Sequence, residues 1–232
     1  MILIEKSTWN EPSHDRFISL LGPKAFVVER TPFTTEFVPE PPAGITHCFG
    51  SSKFIQTCRE RKLPVFNSYG PLDFLVDPHN YLNEGWVCDA DNIDFRHETG
   101  VLSVFVKPFE EKLFTGTVLE IGETLENRQH LGEIKGTKVL VSPYQQIYKE
   151  FRFFCSPTEV IAGSLYRQGH RIKYERIYPR HDAWRFVEQF EFGEYNVCDV
   201  ALTKIGYQII EHNNFNSSGF YECDLARIIN KL

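Results

Sequence analysis

Methionine is nearly missing from this 232-residue chain, which holds 1 Met beside 20 Phe. Aromatics reach 14%, and a core rich in rigid rings points to β-structure, where such side chains fit a pleated, half-buried surface. A cationic excess is missing too. Lys plus Arg is 25 and Asp plus Glu is 31, so the formal charge is −6, which argues against a nucleic-acid coat. The six cysteines (Cys48, Cys58, Cys88, Cys155, Cys198, Cys223) include no CxxC, and the eight histidines no HxxxH pair, which argues against zinc. The cysteines read as small buried hydrophobes in a reducing cytosol. Nowhere is there an uncharged run long enough to span a bilayer, and Met1–Lys6 has neither a basic leader nor a signal-length apolar stretch. A cytoplasmic protein without membrane contact is expected. The GxxxxGK[ST] loop is absent, which excludes a P-loop enzyme.

What remains is an ordinary globular balance, 42% hydrophobic and 24% charged, in a length suited to one large or two compact domains. Strands at Ile2–Ile4, Ala25–Val28, Ile45–Phe49 and Pro64–Tyr69 alternate with helices at Asp15–Leu21 and Ser51–Arg61 around a proline-rich stretch, Thr31–Pro42. This predicts a small α/β layer over residues 1–95. From residue 96 an α+β body built on antiparallel hairpins is expected. Its strands are Val101–Pro108, Phe114–Leu119, Lys138–Ser142, Glu150–Cys155, Val160–Arg167, Asn196–Thr203 and Tyr207–Asn213. Helix-favouring runs lie at Glu123–Glu133, Asp182–Phe190 and Tyr221–Leu232.

The last hairpin carries chemistry. With Lys204-Ile205-Gly206 as a three-residue turn, Asp199 faces Glu211, and Asn213 shares that face two residues on. Like charges directly opposite destabilise a sheet unless something offsets them. Carboxylate and amide oxygens suit Mg²⁺ as that offset. The loop that follows, Asn214 to Gly219 with Asn216, Ser217 and Ser218, is rich in small hydrogen-bonding residues that turn donors toward an anion.

Cations for such an anion stand elsewhere. Lys107 ends an apolar strand, and the long loop behind it closes on Thr115-Gly116, over a phosphate tail in the functional reading. That loop carries two acids, Glu110 and Glu111. Arg152 and Arg167 sit on facing strands of the middle hairpin, where a guanidinium fork binds phosphate or carboxylate. A one-residue shift at Ser156-Pro157-Thr158 decides whether they share a face. Gly50-Ser51-Ser52, at a strand-to-helix junction, reads either as a plain serine cap or as backbone donors to a substrate carboxylate. Residues 167–185 hold Arg167, Arg171, Lys173, Arg176, Arg180 and Arg185 with Tyr174, Tyr178 and Trp184 interleaved. Three readings compete: a substrate loop, an RNA-contacting strip, and a solvated segment.

Several runs resemble one superfamily. Val104-Phe105-Val106-Lys107-Pro108 with Phe114-Thr115-Gly116 resembles the phosphate-binding lysine strand and loop of ATP-grasp proteins. Val139-Leu140-Val141-Ser142-Pro143 is similar to their adenine hinge. Glu150-Phe151-Arg152 with Gly163-Ser164-Leu165-Tyr166-Arg167, then Asp199 and Ile210-Glu211-His212-Asn213, resembles the acidic-x-Arg strand and metal-ligand set. The ending Asn214 to Tyr221 is most similar to the clade named for two arginines and one lysine. The resemblance spans about residues 100–232. It implies an ATP-grasp body at 96–232, with a smaller lobe at 96–140 and a C-terminal lobe at 141–232, behind the 1–95 layer. It further implies an ATP-dependent carboxylate–amine ligase working through an acyl phosphate. Lys107 would hold the α/β-phosphates, Val141 and Ser142 the adenine, and Glu150 the ribose. Asp199, Glu211 and Asn213 would carry Mg²⁺, and Arg152 and Arg167 would neutralise the transferring phosphoryl group. Small-molecule or peptide carboxylates and amines are the implied substrates. A nucleotide-binding module without turnover is the alternative.

Overall fold

The computed structural model describes residues 1–6, 12–30, 36–66, 81–82, 85–93, 102–109, 113–125, 134 and 136–232. In chain order the elements begin with β1 (Ile2–Glu5), α1 (Pro12–Leu21), β2 (Ala25–Arg30), β3 (Phe37–Val38), β4 (His47–Phe49) and α2 (Ser52–Glu60). There follow β5 (Trp86–Asp89), β6 (Ser103–Pro108), β7 (Thr117–Glu120), β8 (Lys138–Pro143), β9 (Lys149–Cys155) and β10 (Val160–Gln168). The chain closes through β11 (Arg171–Ile177), α3 (Asp182–Val187), β12 (Asn196–Thr203), β13 (Gly206–Asn213) and α4 (Leu225–Ile229). The described residues form three sheets and are mostly strand with few helices, as the α+β class requires.

Two compact units are distinguished. One joins Met1–Tyr69, Lys149–Val200 and Glu211–Leu232; the other joins Gly70–Tyr148 and Ala201–Ile210. Neither is continuous in sequence, a different partition from 1–95 and 96–232.

In the first unit a sheet of order β3-β2-β1-β4 holds β1 parallel to both β2 and β4. The apolar run Ile2-Leu3-Ile4 has no polar alternate because both faces of β1 are covered, as is usual for parallel strands. Leu3 packs with Cys48, Phe54, Ile55 and Cys58 beneath α2. Ile2 and Ile4 pack with Phe17, Phe49, Phe154, Phe215 and Phe220. The phenylalanine excess concentrates there: Phe17 and Phe220 lie 4.5 Å apart between ring centroids, and Phe154 meets Phe215 edge-on at 5.1 Å.

A second sheet has the order β11-β10-β9-β12-β13. Phe151 and Phe153 point to the face covered by α3, where Trp184 meets Phe153 edge-on at 6.0 Å. Arg152 and Phe154 alternate onto the other face. The turn of the last hairpin spans Lys204-Ile205, one residue fewer than expected, because Gly206 already opens β13, with a φ of 117° that favours glycine.

In the second unit the sheet order is β5-β8-β6-β7, closed over Val104, Val106, Leu119, Val139 and Val141. The expected β6–β7 hairpin forms, with Phe105 opposite Val118. Differences from expectation are local. Residues 64–66 are not strand, and 67–69 lie outside the described residues, as does most of the helix expected at Glu123–Glu133. The closing helix shrinks to Leu225–Ile229, capped by Asp224, whose side chain accepts from the Arg227 backbone N–H. Three strands, β3, β5 and β11, are not anticipated from the sequence. All six cysteines are free, and five of them are buried.

Candidate active site

The site of the first unit grows from neighbouring strands. β9 presents Arg152 and β12 presents Asp199, and the guanidinium meets the carboxylate through two bonds: Nε to Oδ1 at 2.8 Å and Nη2 to Oδ2 at 2.8 Å. Their side chains are 13% and 3% exposed. Burial pulls the Arg152 pKa down, but the adjoining Asp199 carboxylate outweighs it and raises the arginine pKa. Burial pushes the Asp199 carboxyl up, Arg152 pulls it back, and Glu211 pushes it further up. The pair is thus an internal ion pair whose acid is under strain from a second acid.

That second acid arrives as the alternation along β13 requires. The Asn213 amide donates to Asp199 Oδ2 at 3.0 Å and to Glu211 Oε1 at 3.2 Å, so all three expected metal ligands converge. His212, between them in sequence, turns the other way and meets the Phe192 ring edge-on at 5.9 Å. The offset for Asp199 is supplied by Arg152, a partner not anticipated for it. Among the described residues no three of His, Cys, Asp and Glu cluster as a metal site. The two carboxylates suit a hard, oxygen-seeking cation, since a carboxylate retains lone pairs beyond those given to a guanidinium, while the Asn213 amide, which offers them its Nδ2, would turn its Oδ1 to a bound ion.

A β-bulge settles the face of the second arginine. Pairing of β10 with β9 shifts between Leu165 and Arg167, placing Ser164 opposite Arg152 and Arg167 opposite Glu150. Arg167 therefore shares the Arg152 face. Glu150 accepts from Arg167 Nη1 at 3.0 Å and from the Tyr166 hydroxyl at 2.8 Å. Burial, followed by the Asp199 and Glu150 charges, raises the Tyr166 pKa, so the phenol stays protonated as a donor.

Aromatic residues complete the surround, a role not expected of them from the sequence. Tyr221 stacks on Tyr166 at 5.1 Å and on Tyr174 at 5.2 Å. The Arg152 guanidinium carbon lies 4.9 Å from the Tyr221 ring centroid and 5.7 Å from that of Tyr166. Tyr166 and Tyr221 both lie in runs that carry the family resemblance, but their place around Arg152 follows from the bulge at Tyr166 and the turn at Tyr221, which are long-range consequences of the fold.

The remaining expected residues fall into other roles. Asn216 donates from Nδ2 to the Cys48 carbonyl at 2.8 Å, and its own backbone carbonyl accepts from the Gly50 N–H at 3.0 Å. Ser218 Oγ donates to the Asn214 carbonyl at 2.7 Å and the Ser217 N–H to the same carbonyl at 3.3 Å, closing the loop on itself. At the start of α2 the Ser51 hydroxyl caps the Phe54 N–H at 3.2 Å, and the Ser51 N–H donates to Glu5 Oε2 at 2.7 Å. The chain's own carboxylate thus holds the donor offered to a substrate, while Ser52 begins the helix.

The basic segment is an edge strand and a short helix rather than a loop. Arg176 lies opposite Ser164 and Ile172 opposite Arg167, so Arg171 and Lys173 point to the face away from Arg152. Arg176 pairs with Asp224 at 3.3 Å, Lys173 with Glu175 at 2.8 Å and Arg185 with Asp182 at 4.0 Å. Divided between two faces and partly neutralised, these cations do not form one strip for a polyanion.

In the second unit Lys107 is half-buried on β6, opposite Leu140. Thr115 is exposed, and Gly116 lies against the Phe105 ring. Glu110 and Glu111 lie outside the described residues. Val141 and Ser142 are buried on β8, an inner strand on which Val141 pairs with both Trp86 and Val106.

The chain is an ATP-grasp protein, with a lysine strand in one sheet and a paired arginine beside an acidic hairpin in another. The chain belongs to the second ATP-grasp domain family of the clade named for two arginines and one lysine, and the match covers residues 83–230. No curated protein matches it. Among solved structures it is similar to a RimK domain ATP-grasp protein from Sphaerobacter thermophilus, at 11% identity and TM-score 0.63, covering 100% of this chain and 95% of that one. It is similar to the D-alanine–D-alanine ligase of Bacillus anthracis complexed with ATP, at 12% identity and TM-score 0.60, covering 99% and 91%. The ATP-grasp ligase PsnB, complexed with a minimal precursor, Mg and ADP, aligns at 12% identity and TM-score 0.52, covering 91% and 87%. At such identities the likeness shows a shared fold. Among the described residues no helix is long and apolar enough to cross a membrane.

Proposed function

We propose that this protein is an ATP-dependent carboxylate–amine ligase acting through an acyl phosphate. The observation that carries the reading is the buried Arg152–Asp199 pair beside Glu211 and Asn213, because phosphoryl transfer needs positioned charge rather than a protein nucleophile. No Ser-His-Asp or Cys-His arrangement is required. A substrate carboxylate oxygen attacks the γ-phosphorus and ADP leaves. The amine nitrogen then attacks the acyl carbon, losing a proton as phosphate departs, and an amide forms.

In this account Lys107 holds the α/β-phosphates, with Thr115 and Gly116 closing over them. Val141 and Ser142 border the adenine, and Glu150 faces the ribose. Asp199, Glu211 and Asn213 would hold Mg²⁺, which neutralises phosphate charge when bound. Arg152 commits Nε and Nη2 to Asp199, which fixes the plane of its guanidinium. Its Nη1 makes one long bond, 3.4 Å to the Gly219 carbonyl, and keeps a second N–H for the transferring group. Arg167, more exposed than Arg152, adds a second charge from the same face. Ser51, Ser52, Arg171, Asn216, Ser217 and Ser218 are weaker substrate contacts, because their described groups point elsewhere or bond within the chain.

The test is ADP release with Mg²⁺ and pooled amino acids, comparing wild type with Glu211→Ala. Substrate-stimulated release in the wild type, lost in the variant, supports the ligase. ADP binding without stimulated release favours a module that binds nucleotide and does not turn over. Absence of nucleotide binding removes both.

A further inference from the structure

We infer that β11 is a self-complementary edge through which two copies of this chain join their sheets. This goes beyond the ligase reading and does not rest on it. β11 ends the five-stranded sheet, and among the described residues its strand pairing is to β10 alone. Arg171 to Glu175 are all exposed, with Ile172 at 72% and Tyr174 at 51%. An exposed edge strand is a template for another strand unless its side chains blunt it, and the four charges here, Arg171, Lys173, Glu175 and Arg176, oppose pairing only where like signs meet. No proline interrupts Arg171–Ile177.

The register follows from parity. A twofold axis normal to the sheet keeps each face on its own side, so residues that oppose one another must share a face. Only registers pairing odd with odd and even with even satisfy this. Centring on Lys173 would set Lys173 against its own copy, and centring on Glu175 would do the same with two acids; both place like charges directly opposite. Centring on Tyr174 removes the conflict. Lys173 then faces Glu175 of the second copy, Glu175 faces Lys173, and the two Tyr174 rings meet at the axis. Arg171 lies opposite Ile177, and Ile172 opposite Arg176, whose charge is already taken by Asp224. Tyr174 is also the midpoint of Arg171–Ile177, so this register overlaps the strand over its whole length. The intrachain Lys173–Glu175 ion pair, 2.8 Å long with side chains 51% and 56% exposed, has the charges free to exchange partners across the axis.

Sedimentation equilibrium of the full chain tests this, from low to high micromolar concentration. Wild type should associate to twice the 27.0 kDa chain mass. Lys173→Glu and Glu175→Lys should each weaken the dimer by about tenfold, since each turns two attractive cross-strand pairs into repulsive ones. The double exchange Lys173→Glu/Glu175→Lys should restore it, because the pairs reappear with signs swapped. Thermal melts by circular dichroism verify that all variants fold, as expected for exposed side chains. A monomer at every concentration overturns the proposal, as do a dimer indifferent to both single changes and a loss that the double exchange does not repair. A labelled oligoglutamate probe separates the competing occupant, an acidic peptide. Binding to a monomeric wild type, weakened by Lys173→Glu and strengthened by Glu175→Lys, would overturn the dimer in that peptide's favour.

Discussion

The Tyr221 ring centroid lies 4.9 Å from the guanidinium carbon of Arg152, while the Tyr221 backbone sits at a φ of 49°. A bulky side chain rarely adopts that left-handed conformation, at a cost of roughly 1 kcal/mol or more. The ring's two stacking partners and the arginine offset it. Tyr221→Ala should lose the stacking and keep the backbone cost, destabilising by roughly 2 kcal/mol. Tyr221→Gly should be about 1 kcal/mol less harmful than alanine, reversing the usual order, since glycine takes positive φ freely. Urea denaturation of the two variants checks this.

The Arg152–Asp199 pair sets a second expectation. Removing one buried partner strands the other, at a cost of about 3–5 kcal/mol. Arg152→Met and Asp199→Leu should each unfold at much lower urea, while the double variant recovers most of the stability and none of the nucleotide-dependent activity. Denaturation midpoints beside ADP-release rates separate the two effects.

His181 gives a pH dependence with a definite sign. Its Nδ1 accepts from the Ala183 N–H at 3.1 Å, capping α3, so the bond requires the unprotonated ring. Burial, then the Lys149 charge, lowers its pKa, against Asp182 and Glu175, which raise it. A lowered histidine contributes stability above its unfolded pKa, about 6.5, and loses it as pH falls toward the folded value. Unfolding free energies from urea denaturation between pH 7 and pH 5 should fall more for wild type than for His181→Asn, by about 1 kcal/mol, the worth of a cap, as asparagine keeps the acceptor without titrating.

The second unit has its own sensitive point. A Cβ on Gly85 would stand 1.9 Å from the Val141 carbonyl oxygen, a backbone atom that cannot swing aside. Gly85→Ala should therefore displace β8 and destabilise by roughly 2 kcal/mol, measured by thermal unfolding.

The convergence of Asp199, Glu211 and Asn213 was legible because it depends only on strand alternation within one hairpin. Lys107 on its strand was legible for the same reason. The Arg152–Asp199 pair was not, since it requires β9 to lie beside β12, a choice of sheet order that no local pattern encodes. The shared face of Arg152 and Arg167 turned on a bulge, which one extra residue creates without a sequence mark. β11 escaped because Arg-Ile-Lys-Tyr-Glu is exposed on both faces, so its charges look like a solvated run rather than a strand. Glu5, paired with Ser51 across 46 residues, was likewise invisible.

If ATP activates a carboxylate here, hydroxylamine will trap the activated species. The protein is incubated with ATP, Mg²⁺, pooled carboxylates and hydroxylamine, and hydroxamate is measured beside ADP. Hydroxamate and ADP should form in equal amounts, dependent on carboxylate and abolished in Glu211→Ala. ADP released without hydroxamate, or at a rate indifferent to carboxylate, would contradict carboxylate activation.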